Sequence, residues 1–97
     1  MSHPWMPFYV ADYIADTTHL STVEHGAYLL LIMHYWQQGG LPNDDAKLAR
    51  ICRLPEADFA AIRADLADMF CEAWSHKRID AELAKTADKR EKRAASG

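Results

Sequence analysis

The residues of this sequence best suited to chemistry are its cations. Lys47, Arg50 and Arg53 recur every three positions, which lines them along one side of a helix. Lys77 and Arg78 flank a predicted turn. Lys85, Lys89 and Arg93 recur every four positions, with Arg90 and Lys92 beside them. Together these side chains could grip the phosphates of duplex DNA, weakly and without reading its bases, because phosphate contacts carry no sequence information. For any one of them, a solvated charge that serves solubility is the simpler account.

Other chemistries find less support. The five histidines are His3, His19, His25, His34 and His76, and none forms a His-x₃-His pair of structural-zinc type. His25 and His34 lie on an apolar helix and read as core or boundary residues. Asp12 and Asp16 read as a polar helix face. Cys52 and Cys71 have no Cys-x₂-Cys spacing and no evident electropositive setting to make a thiolate. There is no glycine-rich phosphate loop. The sequence predicts no catalytic residue, metal, cofactor or small-molecule substrate.

Charge is distributed unevenly. The net charge is −3, but residues 1–76 hold four Lys/Arg against ten Asp/Glu, or −6. Residues 77–97 hold seven against four, or +3. A partner that seeks positive charge would meet only the basic end. The 97 residues are 49% hydrophobic, enough for one small core. The longest apolar run, Ala27 to Met33, falls far short of the ~20 residues of a membrane span. With no basic-then-apolar leader at the start, the expected location is the cytoplasm. There the cysteines should be free, buried thiols.

The elements that must position these residues are mostly helical. Pro7 can open a short helix, since its missing N–H would have no partner there; Phe8, Tyr9, Tyr13 and Ile14 would form its apolar side. Ser21-Thr-Val-Glu24 is a capping box. It predicts a long helix from Ser21 to about Gln38, stopped by Gly39 and Gly40. This helix is apolar around most of its circumference, with Val23, Ala27, Leu30 and His34 on one face. Tyr28, Leu31, Ile32, Tyr35 and Trp36 mark another, so it should be the core helix beneath the aromatic N-terminus. Asn43 can cap a short second helix ending near Arg53. Pro55 begins a third, to about Met69, with Phe59, Ile62, Leu66 and Met69 on its buried face. Phe70 to Ile79 lacks a helical period and reads as a tight hairpin turning near Trp74-Ser75. From Asp80 the helical pattern returns, then frays beyond Ala87.

Three helices, a hairpin and a helix is the order of a winged helix-turn-helix. The expected fold is mainly α, with a short β-hairpin wing and a C-terminal helix. Residues 1–84 would form the domain, and 85–97 a basic helical or disordered tail. The stretches PWMPFYVADY, HLSTVEHGAYLLL, Leu-Pro-Asn-Asp-Asp and HKRIDAEL resemble the YdaU-like proteins of phages and prophages. That resemblance covers nearly the whole chain. It implies kinship with the N-terminal domains of phage replication initiators, and hence a non-enzymatic role in phage DNA replication or regulation.

The third helix argues against major-groove reading. Its outward face is Ala57, Ala60, Ala61, Ala64 and Asp68, with Asp58 and Asp65 beside it. Base readout relies on Arg, Lys, Asn or Gln against dense negative charge. Small alanines suit instead a close helix–helix contact, or simply an exposed surface of good helix formers. Two readings stay open: a domain that supports a replication complex through weak phosphate contacts, or a protein-interaction module that pairs with itself or docks a replisome protein.

Overall fold

The computed structural model describes residues 5–96, and for 87–96 the helical backbone alone. Five helices follow in order: α1 Val10–Asp16, α2 Thr22–Gln38, α3 Asp45–Ile51, α4 Glu56–Ala67 and α5 Lys77–Ser96. A 3-10 turn, Glu72–Trp74, stands between α4 and α5. The fold is mainly helical.

The capping box forms as its spacing predicts. Ser21 Oγ accepts the Glu24 N–H at 3.1 Å, and Glu24 Oε1 accepts the Ser21 N–H at 2.7 Å. At the other end Gly39 takes a φ of 83° and returns its N–H to the Tyr35 carbonyl at 2.7 Å. A left-handed residue there costs glycine nothing. Between these ends Ala27, Tyr28, Leu31, Ile32, Tyr35 and Trp36 make one buried stripe. The opposite side is less covered than expected, with Val23 and Met33 exposed.

Packed on α2 are α3 and α4. They contribute the fully buried Leu48, Phe59 and Leu66. The cap of α3 is Asp44 rather than Asn43, its carboxylate accepting the Lys47 N–H at 3.1 Å. The helix closes through Leu54 N–H to Ala49 O and Arg53 N–H to Arg50 O, both 3.0 Å. This places Arg53, with φ 60°, where glycine is usual. Pro55 precedes α4 as its cap residue.

Two larger expectations also fail. Pro7 opens no helix: residues 5–9 run as an irregular strap, and α1 starts at Val10 without burying any residue. Phe8, Tyr9, Val10 and Ile14 are exposed, and Trp5 is 73% exposed. Only Met6 and Tyr13 pack half-buried against the core.

The second failure is the hairpin. Among the described residues there is no strand, so no wing forms and the winged-helix fold is not supported. One bond of hairpin type exists, Cys71 N–H to Ser75 O at 2.7 Å. The N–H groups a second arm would need are used elsewhere. His76 N–H donates to Tyr35 Oη at 3.1 Å, Ile79 N–H to His76 Nδ1 at 3.3 Å, and Asp80 N–H to His76 O at 2.9 Å. These bonds start α5 at Lys77, three residues before the expected Asp80. Two short arms could not outweigh them, since an isolated hairpin is marginal in water.

No helix among the described residues is long and apolar enough to cross a membrane.

The loop that replaces the hairpin is strained. Ala73 and Trp74 have φ of 53° and 62°, a region that costs non-glycine residues energy. Trp74 is buried against Phe59 and Phe70, at centroid distances of 6.3 and 5.5 Å. That burial holds the loop in place. Ala73 is exposed and carries strain without a compensating contact. Ala73→Gly should therefore raise stability by about 1 kcal/mol, read as a higher urea midpoint at unchanged slope. An unchanged or lower midpoint would contradict the strain.

Candidate functional site

The structure scatters the sequence-nominated cations over two helices. Lys47 and Arg50 are exposed on α3, and Arg53 is exposed just beyond it. Lys77 and Arg78 lie not on a wing but in the first turn of α5, with Lys85 further along. The side chains of Lys89, Arg90, Lys92 and Arg93 lie outside the described residues, while the backbone of the expected tail continues α5 to Ser96.

Arg78 is already engaged. Its Nη2 donates to Asp12 Oδ2 at 2.7 Å, and its guanidinium carbon sits 4.5 Å from the centre of the Tyr9 ring. The Asp12 carboxylate holds the guanidinium above its ordinary pKa. Tyr9 Oη donates to Glu82 Oε1 at 3.1 Å, and Lys85 Nζ lies 3.7 Å from the same oxygen. Arg78 and Glu82 of α5 thus clasp the N-terminal strap and the start of α1. Solvent screens such exposed pairs, so the clasp is weak.

The strap roofs a cleft of about 110 Å³. Its apolar walls come from Met6, Phe8, Ile32, Trp36 and Ile79, with Tyr13 and Tyr28 among the lining rings. Tyr13 stacks on Tyr28 at 5.9 Å and shares a hydrogen bond with His25 Nδ1 at 3.1 Å. Thr17, fully buried, donates to the Tyr13 carbonyl at 2.7 Å. These contacts anchor the end of α1.

Beside the cleft runs a part-buried polar chain, of which Tyr28 and His76 line it. Tyr35 Oη donates to Asp80 Oδ1 at 2.5 Å while accepting the His76 N–H. His76 Nε2 and Tyr28 Oη are 3.2 Å apart. The tautomer follows from geometry: a backbone N–H can only donate, so His76 Nδ1, which faces the Ile79 N–H, holds a lone pair. In the neutral ring Nε2 then carries the hydrogen and donates to Tyr28 Oη. Burial pushes the Tyr28 phenol up to about 12 and raises Tyr35, with Asp80 a further cause. Burial lowers His76. Histidine is not a customary cap residue, which is why the sequence pattern concealed this one.

Among the described residues no three ligating side chains converge on a metal position. Cys52 is buried, and burial pushes its thiol up to about 11, so it stays protonated. Cys71 is free but exposed, not buried as expected. At the start of α2, Glu24 is held below its ordinary value, first by a hydrogen bond with Asp65 of α4 and then by the Ser21 amide. None of these groups adjoins the cleft.

A family described as "Protein of unknown function (DUF1376)" matches residues 4–84. "Uncharacterized protein YdaU" of Escherichia coli (strain K12) is 46% identical over 97 residues, covering 97% of this chain and 34% of that protein. The chain thus spans about a third of the length of that relative. No solved structure matches.

The His76 ring makes a pH prediction. Facing it are Tyr28, Tyr35, Phe70 and Ile79 N–H, with Asp80 favouring the proton and Arg78 opposing it. Its folded pKa lies below the unfolded 6.5. Stability from the neutral ring is therefore complete above pH ~6.5 and lost as pH falls through the folded value, because the unfolded chain binds the proton first. His76→Asn keeps a capping side chain but cannot titrate. Urea unfolding of both proteins from pH 8 to 5 should show wild type losing stability relative to the variant only below about 6.5. Parallel curves would remove His76 from the account.

Proposed function

The chain belongs to the DUF1376 family, and we propose that it is a non-enzymatic, self-associating domain of phage-type DNA replication or regulation. The observation that carries the self-association is the exposed face of the strap and α1. Trp5, Phe8, Tyr9, Val10 and Ile14 crowd one short segment. Their exposed area is on the order of 500 Å², as much as the largest patch on a typical monomer. Paired about a two-fold axis it would bury roughly 1,000 Å², the lower bound of a specific interface. The replication setting rests on the resemblance of the chain to phage and prophage proteins, and it is a proposal for a domain that matches a third of a longer relative.

Phosphate contact is the second reading, favoured by the exposed Lys47 and Arg50 of α3 and Arg53 just beyond it. Arg78 supports it less, because Asp12 already holds it. The outward face of α4 gives no support to base reading: Ala57, Ala60, Ala61, Ala64 and Asp68 are all without a cation, and Arg63 beside them is paired with Asp45.

Ile14 is 61% exposed, so Ile14→Asp spares the core. Sedimentation velocity across a rising concentration series should show wild type passing from monomer to dimer and Ile14→Asp remaining monomeric. A wild type that stays monomeric throughout ends the self-association reading.

Duplex binding is read separately by fluorescence anisotropy at two salt concentrations. Binding should be weak and indifferent to sequence. In the triple variant Lys47→Gln, Arg50→Gln, Arg53→Gln the slope of log affinity against log salt should become shallower, by about 0.9 for each phosphate no longer neutralised. Absence of binding at low salt, or an unchanged slope, would remove the α3 cations from the DNA reading.

A further inference from the structure

The hydrogen-bond chain beside the cleft ends in an unused donor. Ile79 N–H donates to His76 Nδ1, and His76 Nε2–H donates to Tyr28 Oη. The phenol oxygen is thereby the acceptor in its bond with His76, and its own hydrogen must point elsewhere. No acceptor for that hydrogen exists among the described residues. Tyr28 is only 6% exposed, and its exposed remainder lines the cleft. A buried hydroxyl without an acceptor is costly. A cleft that ends in one selects ligands that supply the missing lone pair.

The walls select the rest of the ligand. Met6, Phe8, Ile32, Trp36 and Ile79 offer apolar surface, and 110 Å³ admits a group about the size of one ring or one branched side chain. The lining also holds Asp16, His76, Arg78 and Glu82; apolar walls with a few placed polar groups are the usual form of a small-ligand site.

We infer that this cleft is a binding site for a compact apolar group that carries a carbonyl or carboxylate acceptor, with Tyr28 as the donor that receives it. The inference does not rest on self-association, although Phe8 and Tyr9 both line the cleft and belong to the exposed face. Tyr28 is a binding residue; His76 is a positioning residue that turns the phenol hydrogen toward the ligand.

The test uses three probes on the whole chain: benzamide, which joins a ring to an acceptor; toluene, the same ring without one; and N-acetylleucine methylamide, which presents the pair as a peptide does. Methyl resonances of Met6, Ile32 and Ile79 report occupancy in wild type. Benzamide should shift them saturably. Tyr28→Phe keeps the buried ring and removes the donor, so benzamide should bind it about tenfold more weakly. Toluene should bind both proteins alike. Tighter binding of the peptide probe than of benzamide would assign the site to a residue of a partner peptide, and the reverse order to a free small molecule. No saturable shift of these methyls in wild type with either acceptor probe would overturn the site. Equal benzamide affinity in wild type and a folded Tyr28→Phe would overturn the role of Tyr28. The wild-type titration needs no variant, so a misfolded Tyr28→Phe leaves the site itself testable.

Discussion

The hydroxyl of Tyr35 is the point on which the rest of the structure turns. It lies part-buried at the edge of the core, where a polar atom without partners is costly, and it is satisfied from both sides by the start of α5. It donates to Asp80 and accepts from the His76 amide. That pair of bonds fixes where α5 begins and how it leaves the core. Arg78 and Glu82 then face the strap, and Ile79 closes the floor of the cleft. The same bonds exclude a wing, because they take the amides that a second strand would present to the first.

What the sequence made legible were features with a local physical signature. The capping box at Ser21, the stop at Gly39, and the buried stripe through Tyr28, Leu31, Tyr35 and Trp36 all depend on neighbours within one helix. So does the recurrence of Phe59 and Leu66 in α4. Features set by distant residues were hidden. His76 caps α5 through its ring nitrogen, a role outside the Ser, Thr, Asp and Asn pattern, and its partners lie 41 and 48 positions away. Trp74 is held in a left-handed conformation by rings from α4 and the loop after it, which no propensity anticipates. The fixed φ of Pro7 suits a helix start, yet residues 5–9 run as a strap that packs Met6 against the core.

The candidate site was legible only in outline. The exposure of the α3 cations follows from their spacing, but the ion pair that occupies Arg78 spans 66 positions. The cleft draws on the strap, α1, α2 and α5 at once. A periodic pattern reports which face of one helix is buried. It does not report where four segments leave a gap, nor which way a phenol hydrogen points inside it.

The molecule also has a stability gradient, and it places two proposed activities on one segment. Leu31, Leu48, Phe59 and Leu66 are fully enclosed and join α2, α3 and α4 by apolar contact that salt does not weaken. The segment from Trp5 to Asp16 buries no residue fully and is clasped by exposed charged pairs that salt does weaken. Local opening therefore begins at the strap. Met6, Phe8 and Tyr9 of that strap line the cleft, and Trp5, Phe8 and Tyr9 leave apolar surface exposed. A ligand in the cleft adds contacts to Met6 and Phe8 and so favours the ordered strap. Pairing across that exposed surface favours the same ordered state. Two events that draw on one ordering step are coupled, and coupling is reciprocal. The ligand that tightens self-association must itself bind more tightly to the associated form, by the same factor.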